Sequence, residues 1–71
     1  MARYALEYRR FLVQLREARL AAGMTQVQVA ALLKKPQSFV AKCESGERRV
    51  DVLELARFAK IYKKALQDFV E

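Results

Sequence analysis

Residues 25–46 read TQVQVAALLKKPQSFVAKCESG, and this stretch decides the fold. Its first half, residues 26–33, spaces Val29, Ala30 and Leu33 at i, i+1 and i+4, which places them on one helical face. Thr25 stands at the N-cap position and Gln28 follows three residues later, the arrangement of a capping box. Lys34 and Lys35 interrupt the apolar pattern, and Pro36 forbids a continuous helix: it has no N–H and disfavours helical geometry at Lys35. A second helix over about 36–45 is expected, with Pro36 in its first turn and Gly46 as its left-handed stop.

That second helix has two unlike faces. Phe39, Val40 and Cys43 form an apolar stripe. Ser38, Ala41, Lys42 and Ser45 form a small or polar stripe at i, i+3, i+4 and i+7, with Gln37 at its N-terminal end. Gln, Ser and Lys side chains match the donor and acceptor edges of bases in a major groove. An ordinary solvated helix face has the same periodicity, so spacing alone leaves both readings open.

The surrounding sequence resembles the phage-repressor-like helix-turn-helix family, also called the Cro/C1 or XRE family. The resemblance runs from about Leu15 to Phe69. It rests on Leu15-Arg16, Arg19, Gly23, Met24-Thr25-Gln26, Val29-Ala30, Gln37-Ser38, Val40 and Glu44-Ser45-Gly46-Glu47-Arg48, with spacing kept and no gaps. Two positions of the motif depart from the family pattern, and so does the later corner at Lys63-Lys64. Lys34 stands where the family usually has Gly, so it must accept a left-handed or otherwise unusual turn, and Lys35 stands where an apolar residue is common.

Length and composition fit this picture. The 71 residues make one small domain, expected to span 1–71 with the motif at about 26–45. The core is thin, so stability should be modest without a partner subunit. Hydrophobic residues make up 54%, too many for a disordered tail, and two Gly with one Pro argue for helices over loops. Fourteen Lys and Arg against eight Asp and Glu give a net charge of +6, which favours a polyanionic partner, either nucleic acid or an anionic membrane. One cysteine, Cys43, excludes an internal disulfide and suits a reducing cytoplasm. Its place on the apolar face makes it a small core hydrophobe. With no His, neither a zinc site nor a His-based triad can be assembled in one chain. The run 29–33 is far too short to span a bilayer, and no signal-peptide pattern is read. No enzyme, metal or cofactor is expected, and the expected location is cytoplasmic.

In chain order, residues 4–22 form an amphipathic helix with Tyr8, Phe11, Leu12, Leu15, Ala18 and Ala22 on its core face and Arg9, Arg10, Arg16 and Glu17 opposite. A membrane-surface helix would need those apolar residues free to insert. Gly23 ends this helix. Beyond Gly46, Asp51 and Glu54 give another helix start, and a helix over about 51–62 is expected to bury Val52, Leu55, Phe58, Ala59 and Tyr62. Lys63-Lys64 makes a corner, and a last short helix over about 65–70 presents Leu66, Phe69 and Val70.

The resemblance implies an all-α, compact five-helix lambda-repressor-like domain that binds double-stranded DNA. It places helix 36–45 in the major groove, with Gln37, Ser38 and Lys42 at base edges and Ala41 near a thymine methyl. It places Gln26 on a phosphate, with Lys35, Arg48 and Arg49 as further phosphate contacts. It pairs Arg19 with Glu44, tying the first helix to the recognition helix, and uses the small Ala30 to let the two motif helices cross closely. It implies a homodimer acting as a repressor, and the surface expected for it is the last helix with Tyr62, Phe69 and Val70. Three alternatives stay open: a controller or antitoxin-like module with a protein partner, an RNA binder, and a membrane binder.

Overall fold

The computed structural model describes residues 2–70, with side chains from residue 6 to residue 70. The described residues form four α-helices and no strand: α1 (Ala2–Ala21), α2 (Gln26–Leu33), α3 (Gln37–Ser45) and α4 (Val52–Tyr62). A 3₁₀ turn, Leu66–Asp68, follows. The expected fifth helix over 65–70 is therefore a single turn. Its Asp68 and Phe69 N–H groups reach only three residues back, to Ala65 and Leu66. The Asp68 carboxylate closes the turn by accepting the Ala65 N–H at 3.0 Å. So few residues do not sustain an α-helical nucleus.

Local chemistry sets each helix end. Thr25 Oγ1 accepts the Gln28 N–H at 3.1 Å and Gln28 Oε1 accepts the Thr25 N–H at 2.9 Å, so the expected capping box at α2 is formed. Asp51 and Glu54 form a second box at α4, at 2.8 and 3.1 Å. Pro36 differs from expectation by one residue: with ψ 157° it is the extended N-cap, and α3 starts at Gln37.

Helices α1, α2 and α4 end in the same device. The N–H of residue 24, 35 or 64 reaches the carbonyl five residues back, and the N–H of residue 23, 34 or 63 the carbonyl three back. This closure requires a left-handed residue. Gly23 supplies it after α1, but Lys34 (φ 59°) and Lys63 (φ 58°) supply it after α2 and α4. The left-handed turn anticipated at Lys34 is thus present.

One core gathers Leu15, Ala18, Val29, Ala30, Val40, Cys43, Phe58, Ala59, Tyr62 and Phe69. Buried Ala30 and Val40 lie on the facing sides of α2 and α3, as a close crossing requires. The Phe58 and Tyr62 rings stack at 6.0 Å. Two expectations about burial are corrected. Val52, the first residue of α4, is 67% exposed, because the buried stripe of that helix begins a turn later at Leu55. Ala22 lies beyond the end of α1 and is exposed. The surface expected for a dimer is corrected too: Tyr62 (4% exposed) and Phe69 (2%) are core residues, and only Val70 of that trio faces solvent.

Gly46 carries two constraints at once. Its φ is +86°, and a Cβ there would stand 2.8 Å from Leu12 Cδ1. Gly46→Ala is therefore expected to lower stability by about 2 kcal/mol, while Lys34→Gly should raise it by about 1 kcal/mol by relieving the left-handed lysine. Denaturant titration of both variants checks this: a neutral Gly46→Ala would remove the steric argument at that corner.

Candidate nucleic-acid interface

Helix α3 sorts its residues by face. Val40 and Cys43 are fully buried, and Phe39 is half-buried against the core. Gln37, Ser38, Lys42 and Ser45 are exposed, and Ala41 is half-buried among them. The residues expected at base edges are thus brought together on one face. The one acidic residue of α3, Glu44, is turned away from that face.

Glu44 points inward because Arg19 reaches it from α1. Arg19 Nε donates to Glu44 Oε2 at 2.7 Å and Nη2 donates to Oε1 at 3.1 Å. Arg19 Nη1 donates to the Met24 carbonyl at 3.0 Å. The two side chains are 9% and 5% exposed, so this is a buried, bidentate pair with three donors placed. The Glu44 hydrogen bond raises the Arg19 pKa and holds the guanidinium charged. The pairing expected for Arg19 and Glu44 is present.

Gln26 extends the pair to the surface. Its Nε2 donates to Glu44 Oε1 at 3.0 Å, and its Oε1 accepts from Gln37 Nε2 at 2.8 Å. Gln26, which the resemblance puts on a phosphate, and Gln37, which it puts at a base edge, thus touch through their amides. Eleven residues separate them, and no periodicity within one helix could show the contact.

The expected phosphate contacts divide. Lys35 lies with its Nζ 5.3 Å from the centre of the Phe39 ring. Arg49 lies over Tyr8 at 4.4 Å. Arg48 is occupied: Nη1 and Nη2 donate to the two Glu54 oxygens at 2.8 and 2.7 Å, and its guanidinium sits 4.7 Å over Phe39. Arg48 therefore braces the α3–α4 corner to the start of α4. The pattern R-x-x-x-x-x-E across a loop carries no helical period, so this pair was not legible. The Arg48 hydrogen bond holds the Glu54 carboxyl below its ordinary range. Burial pushes the Cys43 thiol up, which fits a core residue and not a thiolate.

A family model described as helix-turn-helix matches residues 15–69 of the chain. No curated protein and no solved structure matches it. No helix among the described residues is long and apolar enough to cross a membrane.

Glu54 makes stability depend on pH with a definite sign. Its folded pKa is depressed, so its contribution is present above the ordinary value near 4.5 and is lost as pH falls through the lower folded value. Melting temperature measured from neutral pH to acid should fall more steeply for the native chain than for Glu54→Gln. Parallel curves would show that the Arg48–Glu54 pair does not bias folding.

Proposed function

This chain belongs to the Cro/C1-type helix-turn-helix family, a family of DNA-binding regulators and not of enzymes, and on that premise we propose that it is a sequence-specific repressor that inserts α3 into the major groove as a homodimer. The observation that carries the reading is the exposed face of α3: Gln37, Ser38 and Lys42 project from it, and its only carboxylate is folded inward onto Arg19. A face without negative charge, on a chain of net charge +6, suits approach to a polyanion. Gln37 suits adenine, Lys42 suits guanine O6 and N7, and the methyl of Ala41 suits thymine. Lys35, over the Phe39 ring of α3, and Arg49, over the Tyr8 ring of α1, suit phosphates on either side of the groove. Gln26 begins α2, where free N–H groups also favour a phosphate. Binding to DNA carries with it the cytoplasmic location expected from the lone cysteine.

For the homodimer, the support is a groove between the first half of α1 and the start of α4, lined by the apolar Tyr8, Phe11, Val50, Val52, Leu55 and Val70 together with the charged Glu7, Arg49 and Asp51. Two copies would present two recognition helices to half-sites about one helical turn, ~10 base pairs, apart. Footprinting should show two protected half-sites, and sedimentation two chains per duplex. One chain protecting one half-site would refute the dimer.

Base and phosphate contacts should fail differently. Gln37→Ala or Lys42→Ala should weaken binding to the selected site by about 1–3 kcal/mol and to random duplex far less. Arg49→Ala should weaken both duplexes alike and reduce the salt slope by about one. Arg48→Ala should act first on stability, since Arg48 is already paired with Glu54. Affinity for selected and scrambled duplexes across a salt series reads the first three, and denaturant titration reads Arg48→Ala. Equal losses on both duplexes for Gln37→Ala and Lys42→Ala would end the base-reading role of α3.

A further inference from the structure

We propose that the outward face of α1, centred on Val13, docks an amphipathic helix of a partner protein whose apolar heptad stripe is bordered by carboxylates. The face shares no residue with the exposed face of α3 or with the groove beside Tyr8, so a chain that failed to read DNA would still carry it.

Leu6, Val13 and Leu20 stand at i, i+7 and i+14 of α1, and they are 55%, 56% and 53% exposed. Seven residues are close to two helical turns, so the three side chains form one line ~21 Å long that drifts by only ~20° per repeat. Folding gains little from them there, because the core face of α1, with Leu15 and Ala18, is turned the other way. Single exposed aliphatics are ordinary, but three on one line with a heptad period occupy one of the two seam positions of a coiled coil. Arg9 and Arg16, three residues after Leu6 and Val13, occupy the other. Their methylene stems widen the apolar strip, while their guanidinium heads stay in water.

The charges name the occupant. Val13 is ringed at i−4, i−3, i+3 and i+4 by Arg9, Arg10, Arg16 and Glu17, all of them exposed. Among the described residues no ion pair holds any of these three arginines. Three cations beside one anion suit an acidic partner, and a helix with Glu on either side of its own apolar stripe offers each guanidinium a carboxylate. A second copy fits poorly. In a parallel pair Arg9 and Arg16 meet their own copies, and in an antiparallel pair centred on Val13 the Arg9 of each chain meets Arg16 of the other, so like charges oppose across the seam. A membrane fits poorly as well, because a strip one residue wide does not enter the acyl region without drawing its charged neighbours in with it.

The probe is a synthetic peptide of about three heptads with Leu at both seam positions and Glu on both flanks, whose like charges keep it from pairing with itself. Its binding to the full chain is followed by fluorescence anisotropy, beside the same peptide with Lys in place of Glu and beside vesicles of anionic lipid. The Glu peptide should bind one-to-one, and the Lys peptide roughly tenfold more weakly or worse. Val13→Gln replaces an exposed side chain by another good helix former, so it should leave the melting temperature unchanged and weaken the Glu peptide about tenfold. Arg9→Glu combined with Arg16→Glu should reverse the order of the two peptides. Lys42→Ala, on the exposed face of α3, should leave the Glu peptide within about twofold of native. If Val13→Gln does not fold, the charge reversal decides alone. No binding of the Glu peptide, equal binding of both peptides, or a Glu peptide held as tightly by Val13→Gln as by the native chain would overturn the proposal. Self-association of the native chain in sedimentation, or vesicle binding, that Val13→Gln abolishes would overturn it too and give the face to a second copy or to a membrane.

Discussion

The Arg19–Glu44 ion pair is the constraint on which the arrangement of helices depends. Taking two charges out of water costs several kcal/mol for each, and only good geometry with every donor placed recovers it. Here the guanidinium gives two bonds to the carboxylate and a third to the Met24 carbonyl, which lies in the corner between α1 and α2. A single side chain thus joins α1, the α1–α2 corner and the C-terminal half of α3. Apolar packing of Leu15, Val29, Val40 and Phe58 supplies the larger driving force, but it is non-directional. The ion pair is directional, and it ties α3 to α1 and to the α1–α2 corner at defined distances.

Much of this was legible in the sequence because it is local. The capping boxes at Thr25 and Asp51, the break at Pro36, the stop at Gly46 and the buried stripe of α3 all depend on residues within one turn of one another. The Arg19–Glu44 pair is not local; it came from the resemblance, and the structure contains it. What stayed hidden lies between elements. The Gln26–Gln37 contact joins two helices, and Arg48–Glu54 joins a loop to a helix start, so no period along the chain marks either. The tail misled for a related reason. Leu66, Phe69 and Val70 have helical spacing, but Phe69 is buried by folding back onto the core from a single 3₁₀ turn. Val52 shows the converse: apolar character at a helix start does not place a residue in the core.

The charges of the chain do unlike work. Net charge alone would assign every arginine to a polyanion, but Arg19 is buried on Glu44 and Arg48 is clasped by Glu54. Those two hold the frame. Arg49 and Lys35 rest on aromatic faces, which restrict their position without neutralising them. A cation held over a ring loses less freedom when it meets a phosphate than one free to swing, and such preorganisation favours binding.

The hydrogen bond from the Val50 N–H to Tyr8 Oη, 3.0 Å long, spans 42 residues. The tertiary contacts of this fold form a graded series in chain separation: 11 residues for Gln26 with Gln37, 25 for Arg19 with Glu44, and 42 for Tyr8 with Val50. Loop-closure entropy rises with that separation, so assembly has a natural order. The Tyr8–Val50 bond is therefore the costliest of the three to close, and it rests on the half-buried Val50 at the longest of these spans. Hydrogen exchange is expected to find the Val50 amide less protected than those of α2 and α3.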